Sequence, residues 1–235
     1  MPAAGSRGRI AAYMDLDGTL LDVNSARLWL AREWKHRRVS VGQAAKAIGF
    51  LVAYRLGLAD IEKATREALR LVGGLEEDEV RRWTHEWFDS EVAIHAAPGS
   101  WPTIAEHRRL GHALVLLTSA SPYEAERAAE LFGLDAWLSS SYEVEHGRFT
   151  GEPVVPLCYG SGKVLYAEGH AEREGIDLGR SYFYTDSYTD MPILERVGRP
   201  RVVSPDMRLR LAARRRGWPV LDWSSREPTL AIDPD

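Results

Sequence analysis

The hydrophobic pattern opens with a short apolar run, residues 10–14, that stops at two aspartates one residue apart, Asp15 and Asp17. A short apolar run bounded by turn residues is typical of a buried strand. Gly18 follows directly, and glycine readily adopts the backbone conformations of tight turns. The pattern therefore predicts a buried strand whose carboxyl end carries both acids.

From residue 25 to residue 93 the apolar residues recur instead at the three- and four-residue steps of helices. Four helical segments are predicted here with no strand among them: 25–34, 41–55, 60–72 and 76–93. Asn24 or Ser25 is the expected N-cap of the first segment. Because the stretch lies between two strand signals, we expect an all-helical insert of about 70 residues.

After Pro98-Gly99, strand and helix signals alternate. The predicted strands are 113–117, 136–142, 181–185, 201–203 and 219–221, with a hairpin at 142–150. The predicted helices are 101–110, 122–132, 163–175, a short one after Asp190, and 206–215. Strands alternating with helices indicate a parallel sheet covered by helices. The expected architecture is an α/β core, residues 1–22 and 97–235, with a helical cap, residues 23–96, inserted after the first strand.

Composition narrows the possible function classes. The chain has 235 residues, 45% of them hydrophobic, which is enough for one α/β domain with an insert. A net charge of −4 gives no reason to expect a nucleic-acid partner. One cysteine, Cys158, excludes an intramolecular disulfide and disfavours a zinc–thiolate site. Residues 1–9 are small and polar without an apolar core, so we expect no signal peptide there. The longest apolar-leaning stretch, 41–58, is too short and too charged for a membrane span. We therefore predict a cytoplasmic monomer or homodimer without a membrane partner.

Polar residues follow the predicted strands in a regular way. They are Asp15 and Asp17 after the first strand, Ser119 or Thr118 after the second, Lys163 at a helix start, and Asp186 with Asp190 after the fourth. Because the carboxyl ends of parallel strands meet at one edge of a sheet, these residues are expected to lie together. Two acids this close repel each other unless a divalent cation or a shared proton lies nearby. Each also has a plainer interpretation: an Asp-Gly turn, a solvated lysine, and a helix N-cap at Asp190.

The sequence Asp-x-Asp-Gly-Thr at 15–19, followed in order by Ser119, Lys163 and Asp186, resembles the four motifs of the haloacid dehalogenase superfamily of phosphohydrolases. The resemblance extends over residues 10–223. It implies a Rossmann-like parallel sheet of strand order 3-2-1-4-5 and an inserted helical cap of the C1 type. Within the superfamily, the chain is most similar to the phosphoserine-phosphatase-like hydrolases of subfamily IB, through residues 24–29 and 119–122.

The resemblance implies catalytic roles for four residues. Asp15 resembles the nucleophile that attacks phosphorus and becomes an aspartyl-phosphate, a role that suits a carboxylate already ionised at neutral pH. Asp17 resembles the general acid and base. Ser119, or Thr118 in its place, would bind a phosphoryl oxygen, and Lys163 would balance the charge of the nucleophile and the phosphoryl group.

The resemblance also implies a cofactor and a substrate site. Mg²⁺ is expected on the Asp15 carboxylate, the Asp17 main-chain carbonyl and Asp186, because it favours hard oxygen ligands and keeps several waters. Asp190 would support the metal or fix Lys163. The expected substrate-binding residues are Thr19, Asn24, Arg27, Ser119 and Ala120.

The residues that choose the substrate depart from the family pattern. Phosphoserine phosphatases carry a glutamate that binds the serine amine where this chain has Asn24. An amide loses most of the ionic attraction to an ammonium group. The cap arginine of those enzymes falls near Ala68, with Arg66 and Arg70 on either side. We therefore predict a Mg²⁺-dependent hydrolase of a small phosphomonoester, with phosphoserine, histidinol phosphate and other substrates open. A phosphotransferase or mutase, a non-catalytic ligand-binding domain, and an enzyme of lipid phosphates are the alternatives.

Overall fold

A computed structural model describes residues 8–36, 42, 49, 61–70, 72–225 and 231–233. The predicted helix 41–55 lies outside the described residues, except for Gly42 and Gly49. Among the described helices, none is long and apolar enough to cross a membrane.

The main sheet is parallel throughout. The described strands are β1 (Ala11–Met14), β2 (Ala113–Leu117), β3 (Ala136–Leu138), β4 (Ser141–Glu145), β5 (Arg148–Val154), β6 (Tyr182–Thr185), β7 (Arg199–Val203) and β8 (Val220–Leu221). Six of them form the main sheet in the order β3-β2-β1-β6-β7-β8. Without the hairpin strands this is the expected order 3-2-1-4-5, extended by β8 at one edge. The predicted fold class is confirmed.

Helices cover both faces of this sheet. The described α-helices are α1 (Ser25–Lys35), α2 (Ile61–Leu69), α3 (Glu77–Trp87), α4 (Ser100–Arg109), α5 (Pro122–Phe132), α6 (Ser161–Glu174), α7 (Met191–Arg196) and α8 (Met207–Arg216). On β1, Ala12 and Met14 face a core that includes α4 and α5, whereas Ala11 and Tyr13 face a core that includes α6, α7 and α8. Burial on both faces explains why β1 is apolar without alternation.

The third strand is shorter than predicted. It ends at Leu138, and Tyr142 belongs instead to the antiparallel hairpin formed by β4 and β5. The ring of Tyr142 packs edge-on against Phe149 of the partner strand, with 6.4 Å between ring centroids. Between the two elements, Ser140 Oγ accepts a hydrogen bond of 2.9 Å from the Cys158 N–H, which ties this connection to the loop before α6. The predicted strand 136–142 therefore merged two separate elements.

The insert leaves and re-enters the core at one point. Leu21 pairs with Ala96 in an antiparallel bridge, and the Ala97 N–H donates to the Leu20 carbonyl at 2.8 Å. The two connections thus run side by side where the boundaries of the cap, residues 23–96, were predicted. Those boundaries stay a proposal that this pairing supports.

Main-chain hydrogen bonds join the insert to the hairpin as well. The Gly74 N–H donates to the Phe149 carbonyl (2.8 Å), and the Phe149 N–H donates to the Leu75 carbonyl (3.1 Å). The Glu77 N–H donates to the Gly147 carbonyl at 2.9 Å. The segment before α3 therefore lies along β5 like an additional short strand.

A buried histidine pair lies beneath the sheet. His107 of α4 is fully buried; its Nδ1 lies 2.8 Å from Nδ1 of His112, and its Nε2 lies 2.8 Å from the hydroxyl of Tyr184. Burial, followed by the nearby charges of His112 and Arg201, lowers the pKa of His107 to about 3. His107 is therefore neutral in the folded protein at pH 7.

Acid is expected to destabilise the fold through His107. The unfolded imidazole titrates near its usual 6.5, so between pH 6.5 and 3 the unfolded chain binds more protons than the folded one. This contribution to stability is fully present above pH 6.5 and is lost as the pH falls. The free energy of unfolding should drop by about 2 kcal/mol from pH 7 to pH 5 on account of this group. Urea unfolding at both pH values measures this drop.

The matched variants are His107→Gln and His36→Gln. The first should lose this part of the pH dependence, whereas the second, at an exposed position, should keep it. An unchanged drop in His107→Gln would assign the acid sensitivity to other groups.

Candidate active site

The chain turns sharply after β1. Gly18 has a positive φ of 71°, as the sequence predicted for a turn at this glycine. A Cβ atom at Gly18 would clash with the carboxylate of Asp186. The Asp186 carboxylate therefore lies directly against the main chain of the loop that follows Asp15, a position that only glycine allows.

Lys163 connects residues from three of the predicted motifs. Its Nζ lies 3.0 Å from Oδ1 of Asp15 and 2.9 Å from Oδ2 of Asp190. The lysine side chain is only 2% exposed, so its interpretation as a solvated lysine is wrong. Asp190 occupies the N-cap position of α7, but its carboxylate accepts from Lys163 and, at 2.7 Å, from the Thr185 hydroxyl. Asp190 thus fixes the lysine instead of capping the helix.

Asp17 is held by the start of α1. Its carboxylate accepts hydrogen bonds from the Ser25 N–H (2.9 Å), the Ser25 hydroxyl (3.1 Å) and the Asn24 side-chain amide (3.0 Å). Asn24 is the N-cap of α1, because its Oδ1 accepts from the Arg27 N–H at 3.1 Å. Both the oxygen and the nitrogen of the Asn24 amide are thus bonded within the chain. Arg27, the other residue of this segment that was predicted to bind substrate, is exposed.

The remaining predicted residues lie close to the ends of β1 and β2. Thr118 is buried and its hydroxyl accepts from the Ala120 N–H at 3.1 Å, whereas Ser119 is half-buried. Because Thr118 is 2% exposed, Ser119 is the more accessible of the two candidates for a phosphate-binding hydroxyl. Thr19 is 1% exposed, and among the described residues its Oγ1 has no hydrogen-bond partner.

Comparison with known proteins decides the family. The profile of the haloacid dehalogenase-like hydrolases matches residues 12–195. The chain belongs to this family. A phosphoserine phosphatase of Mycobacterium tuberculosis is 33% identical over 218 residues, which cover 91% of this chain and 70% of that protein.

Two further similarities agree with this assignment. A histidinol-phosphatase of Neisseria meningitidis is 26% identical over 217 residues, covering 90% of this chain and 98% of that one. A solved structure of a protein of unknown function from Bordetella pertussis matches with a TM-score of 0.80 and 27% identity, covering 91% of this chain and 98% of that one. The predicted hydrolase class and the phosphoserine-phosphatase-like group are confirmed.

The two aspartates of this haloacid dehalogenase-like hydrolase have unusual acidities. Burial raises the pKa of Asp15 to about 7, although the Lys163 charge acts to lower it. Burial also raises the pKa of Asp17 to about 6, although hydrogen bonds from Ser25 act to lower it. An additional cation beside Asp15 would stabilise its carboxylate. A raised pKa at Asp17 suits a group that gives and takes a proton near neutral pH.

The residues present fit a magnesium ion. The Asp186 carboxylate lies against the loop that begins at Asp15. Together with the Asp15 carboxylate and the Asp17 main-chain carbonyl, it would present a metal ion with oxygen ligands only. Hard oxygen ligands, few enough to leave room for water, are what Mg²⁺ prefers. In the described part of the chain no three His, Cys, Asp or Glu side chains come together as a metal site.

Two residues at the site escaped the sequence interpretation. Ser25 was predicted only as a possible N-cap, yet both its N–H and its hydroxyl bind Asp17. Glu124 lies three residues after Ser121, a spacing typical of a capping box. Ser121 does accept from the Glu124 N–H at 3.2 Å, but the Glu124 carboxyl group is buried close enough to Asp17 for the charge of that aspartate to raise its pKa further, after burial itself. No local pattern reveals a contact between residues so far apart in sequence.

Proposed function

We propose that the protein is a Mg²⁺-dependent phosphomonoester hydrolase that acts on a small phosphorylated metabolite through an aspartyl-phosphate. The observation that supports this most is the buried Lys163, whose Nζ lies within 3.0 Å of both Asp15 and Asp190. A buried lysine that joins the end of β1 to the residues after β6 holds a carboxylate nucleophile where a phosphoryl group would bind.

Asp15 attacks phosphorus in the first step, and the bond from phosphorus to the ester oxygen breaks. Lys163 holds Asp15 in place and balances negative charge on the transferring phosphoryl group. Ser119, at the end of β2, donates to a phosphoryl oxygen. Bound Mg²⁺, on Asp15, Asp186 and the Asp17 carbonyl, would supply further charge stabilisation.

Asp17 moves the protons. In the first step its protonated carboxyl group donates to the departing ester oxygen, which leaves as an alcohol. In the second step its carboxylate takes a proton from the water that hydrolyses the aspartyl-phosphate, which restores Asp15 and releases phosphate. Hydrogen bonds from Ser25 and Asn24 keep the Asp17 carboxyl group in one orientation through both steps.

The substrate is a small phosphomonoester. The relatives named above are a phosphoserine phosphatase and a histidinol-phosphatase, and serine and histidinol both carry an amino group beside the phosphorylated carbon. Of the two arginines beside the position of the family's cap arginine, Arg66 pairs with Glu62 (2.9 Å) and with Glu152, whereas Arg70 is exposed. From the sequence we also propose a cytoplasmic monomer or homodimer without nucleic-acid partners.

The function is tested by phosphate release from a panel of small phosphomonoesters. We expect at least one substrate to be hydrolysed without an added acceptor, and removal of Mg²⁺ with a chelator to lower the rate at least about 100-fold. Restoring Mg²⁺ should restore the rate. Transfer of the phosphoryl group to an added second alcohol, with no release of inorganic phosphate, would indicate a phosphotransferase. No release across the panel would refute the proposed hydrolase.

A further inference from the structure

The loop that carries Asp186 is held by a residue from another part of the chain, Asp206. Asp206 is the N-cap of α8, because its Oδ1 accepts from the Leu209 N–H at 2.8 Å. Its second carboxylate oxygen, Oδ2, accepts from the Tyr188 N–H at 3.0 Å. The Asp206 N–H itself donates to the Asp186 carbonyl at 3.0 Å. Asp206 therefore binds main-chain groups on both sides of Ser187, directly beside the proposed metal ligand.

Two further contacts restrict the same loop. The guanidinium carbon of Arg208, in the first turn of α8, lies 4.2 Å from the centre of the Tyr188 ring. On the side of the sheet, the Ser187 N–H donates to the Thr185 hydroxyl at 3.1 Å. The main chain around Asp186 is thus held by the end of β6 on one side and by the start of α8 on the other.

The contacts of Asp206 exceed what a helix cap requires. A cap needs one side-chain oxygen, and asparagine or serine serves about as well as aspartate. Asp206 uses both carboxylate oxygens, one for α8 and one for the loop of Asp186. Asparagine has only one side-chain oxygen. The second bond has a use in the site, because the Asp186 carboxylate must stay directly against Gly18 to reach an ion beside Asp15.

We propose that Asp206 is a positioning residue for the metal site. It holds the loop of Asp186 in place and thereby raises the affinity of the site for Mg²⁺, without contact to the metal or to the substrate. Groups that orient a metal ligand commonly change metal affinity or activity about 10- to 100-fold when they are removed. This inference rests on the proposed function, because it requires Asp186 to be a metal ligand.

Binding of Mn²⁺ to the substrate-free protein tests this role. Mn²⁺ favours the same oxygen ligands as Mg²⁺ and is followed by electron paramagnetic resonance. Asp206→Ala, which removes both acceptors, should raise the Kd for Mn²⁺ about 10-fold. Asp206→Asn, which keeps one acceptor, should retain part of the affinity. In assays of phosphate release, the Mg²⁺ concentration for half-maximal rate should rise with the Kd, whereas kcat at saturating Mg²⁺ should stay within about 3-fold of wild type.

The matched control is Asp177→Ala. The Asp177 carboxylate also binds a main-chain N–H group, that of Gly179 at 2.9 Å, but it lies before β6, at the opposite end of the sheet from Asp186. This variant should lose some stability in urea unfolding and keep the wild-type Kd for Mn²⁺. An equal rise of the Kd in Asp177→Ala would assign the effect to reduced stability and would overturn the role of Asp206.

The remaining outcomes separate this inference from the proposed function. If wild type binds Mn²⁺ and Asp206→Ala binds it equally well, Asp206 is a helix cap only, and the inference is wrong although the proposed function stands. If wild type binds no Mn²⁺ and releases phosphate without Mg²⁺, the metal site is refuted, and with it both the Mg²⁺ dependence and the role of Asp206. A raised Kd in Asp206→Ala together with an unchanged Kd in Asp177→Ala supports the inference.

Discussion

Replacement of Asp15 by asparagine is expected to lower phosphate release by at least about 10⁴-fold, because it removes the attacking carboxylate while keeping the shape of the side chain. Asp15 is buried at the end of β1 and lies 3.0 Å from Lys163. An amide is far less nucleophilic than a carboxylate, so the aspartyl-phosphate cannot form at a useful rate. The measurement is phosphate release with Mg²⁺ from the best substrate of the panel.

The matched control is Asp22→Asn, in the same loop. Asp22 is exposed and pairs with His95, outside the contacts that hold Asp15. We expect this variant to retain activity within about 3-fold of wild type. Covalent labelling with a phosphorylated substrate should mark wild-type protein at Asp15 and leave Asp15→Asn unlabelled. Full activity of Asp15→Asn would rule out this residue as the nucleophile.

Lys163→Met should give the second-largest effect, on both activity and stability. The variant removes the cation between Asp15 and Asp190, so kcat is expected to fall about 10²- to 10³-fold. Two buried acids would also lose their partner, which costs up to about 3–5 kcal/mol of unfolding free energy. Single-turnover kinetics and urea unfolding measure the two losses separately.

The control for this variant is Lys35→Met, at an exposed position in the last turn of α1. It should leave both kcat and the unfolding free energy close to those of wild type. A Lys163→Met variant that is destabilised yet turns over substrate at the wild-type rate would show that the lysine is structural. The proposed charge-balancing role would then be wrong.

Much of the core could be predicted because its signals are local. Asp15 and Gly18 stand at the end of a run that is apolar on both faces, and the structure has a strand and a turn there. The strand order followed from the family resemblance, since no local pattern fixes which parallel strands are neighbours. The break after Leu138 was missed because the three serines between Leu138 and Tyr142 do not by themselves end a strand.

The details of the site depended on tertiary contacts that the sequence does not encode locally. The carboxylate of Asp190 has the position of a helix cap, yet it bonds to Lys163 because α6 brings the lysine beside it. Likewise, Ser25 was a possible N-cap of α1, yet both its N–H and its hydroxyl donate to Asp17. Capping patterns describe what a side chain can do for its own helix, but not which neighbour it meets.

The insert is attached to the hairpin through main-chain hydrogen bonds, whereas recognition of a substrate depends on side chains. The hydrogen bonds between residues 74–77 and 147–149 run from main chain to main chain, so most side-chain substitutions in those segments leave them intact. Residues that face the substrate elsewhere on the insert are then free to change without loosening its anchor on the core. Under the proposed function, a scaffold of this kind lets the catalytic centre acquire new substrates by point mutation, and laboratory evolution of its specificity can begin at α1.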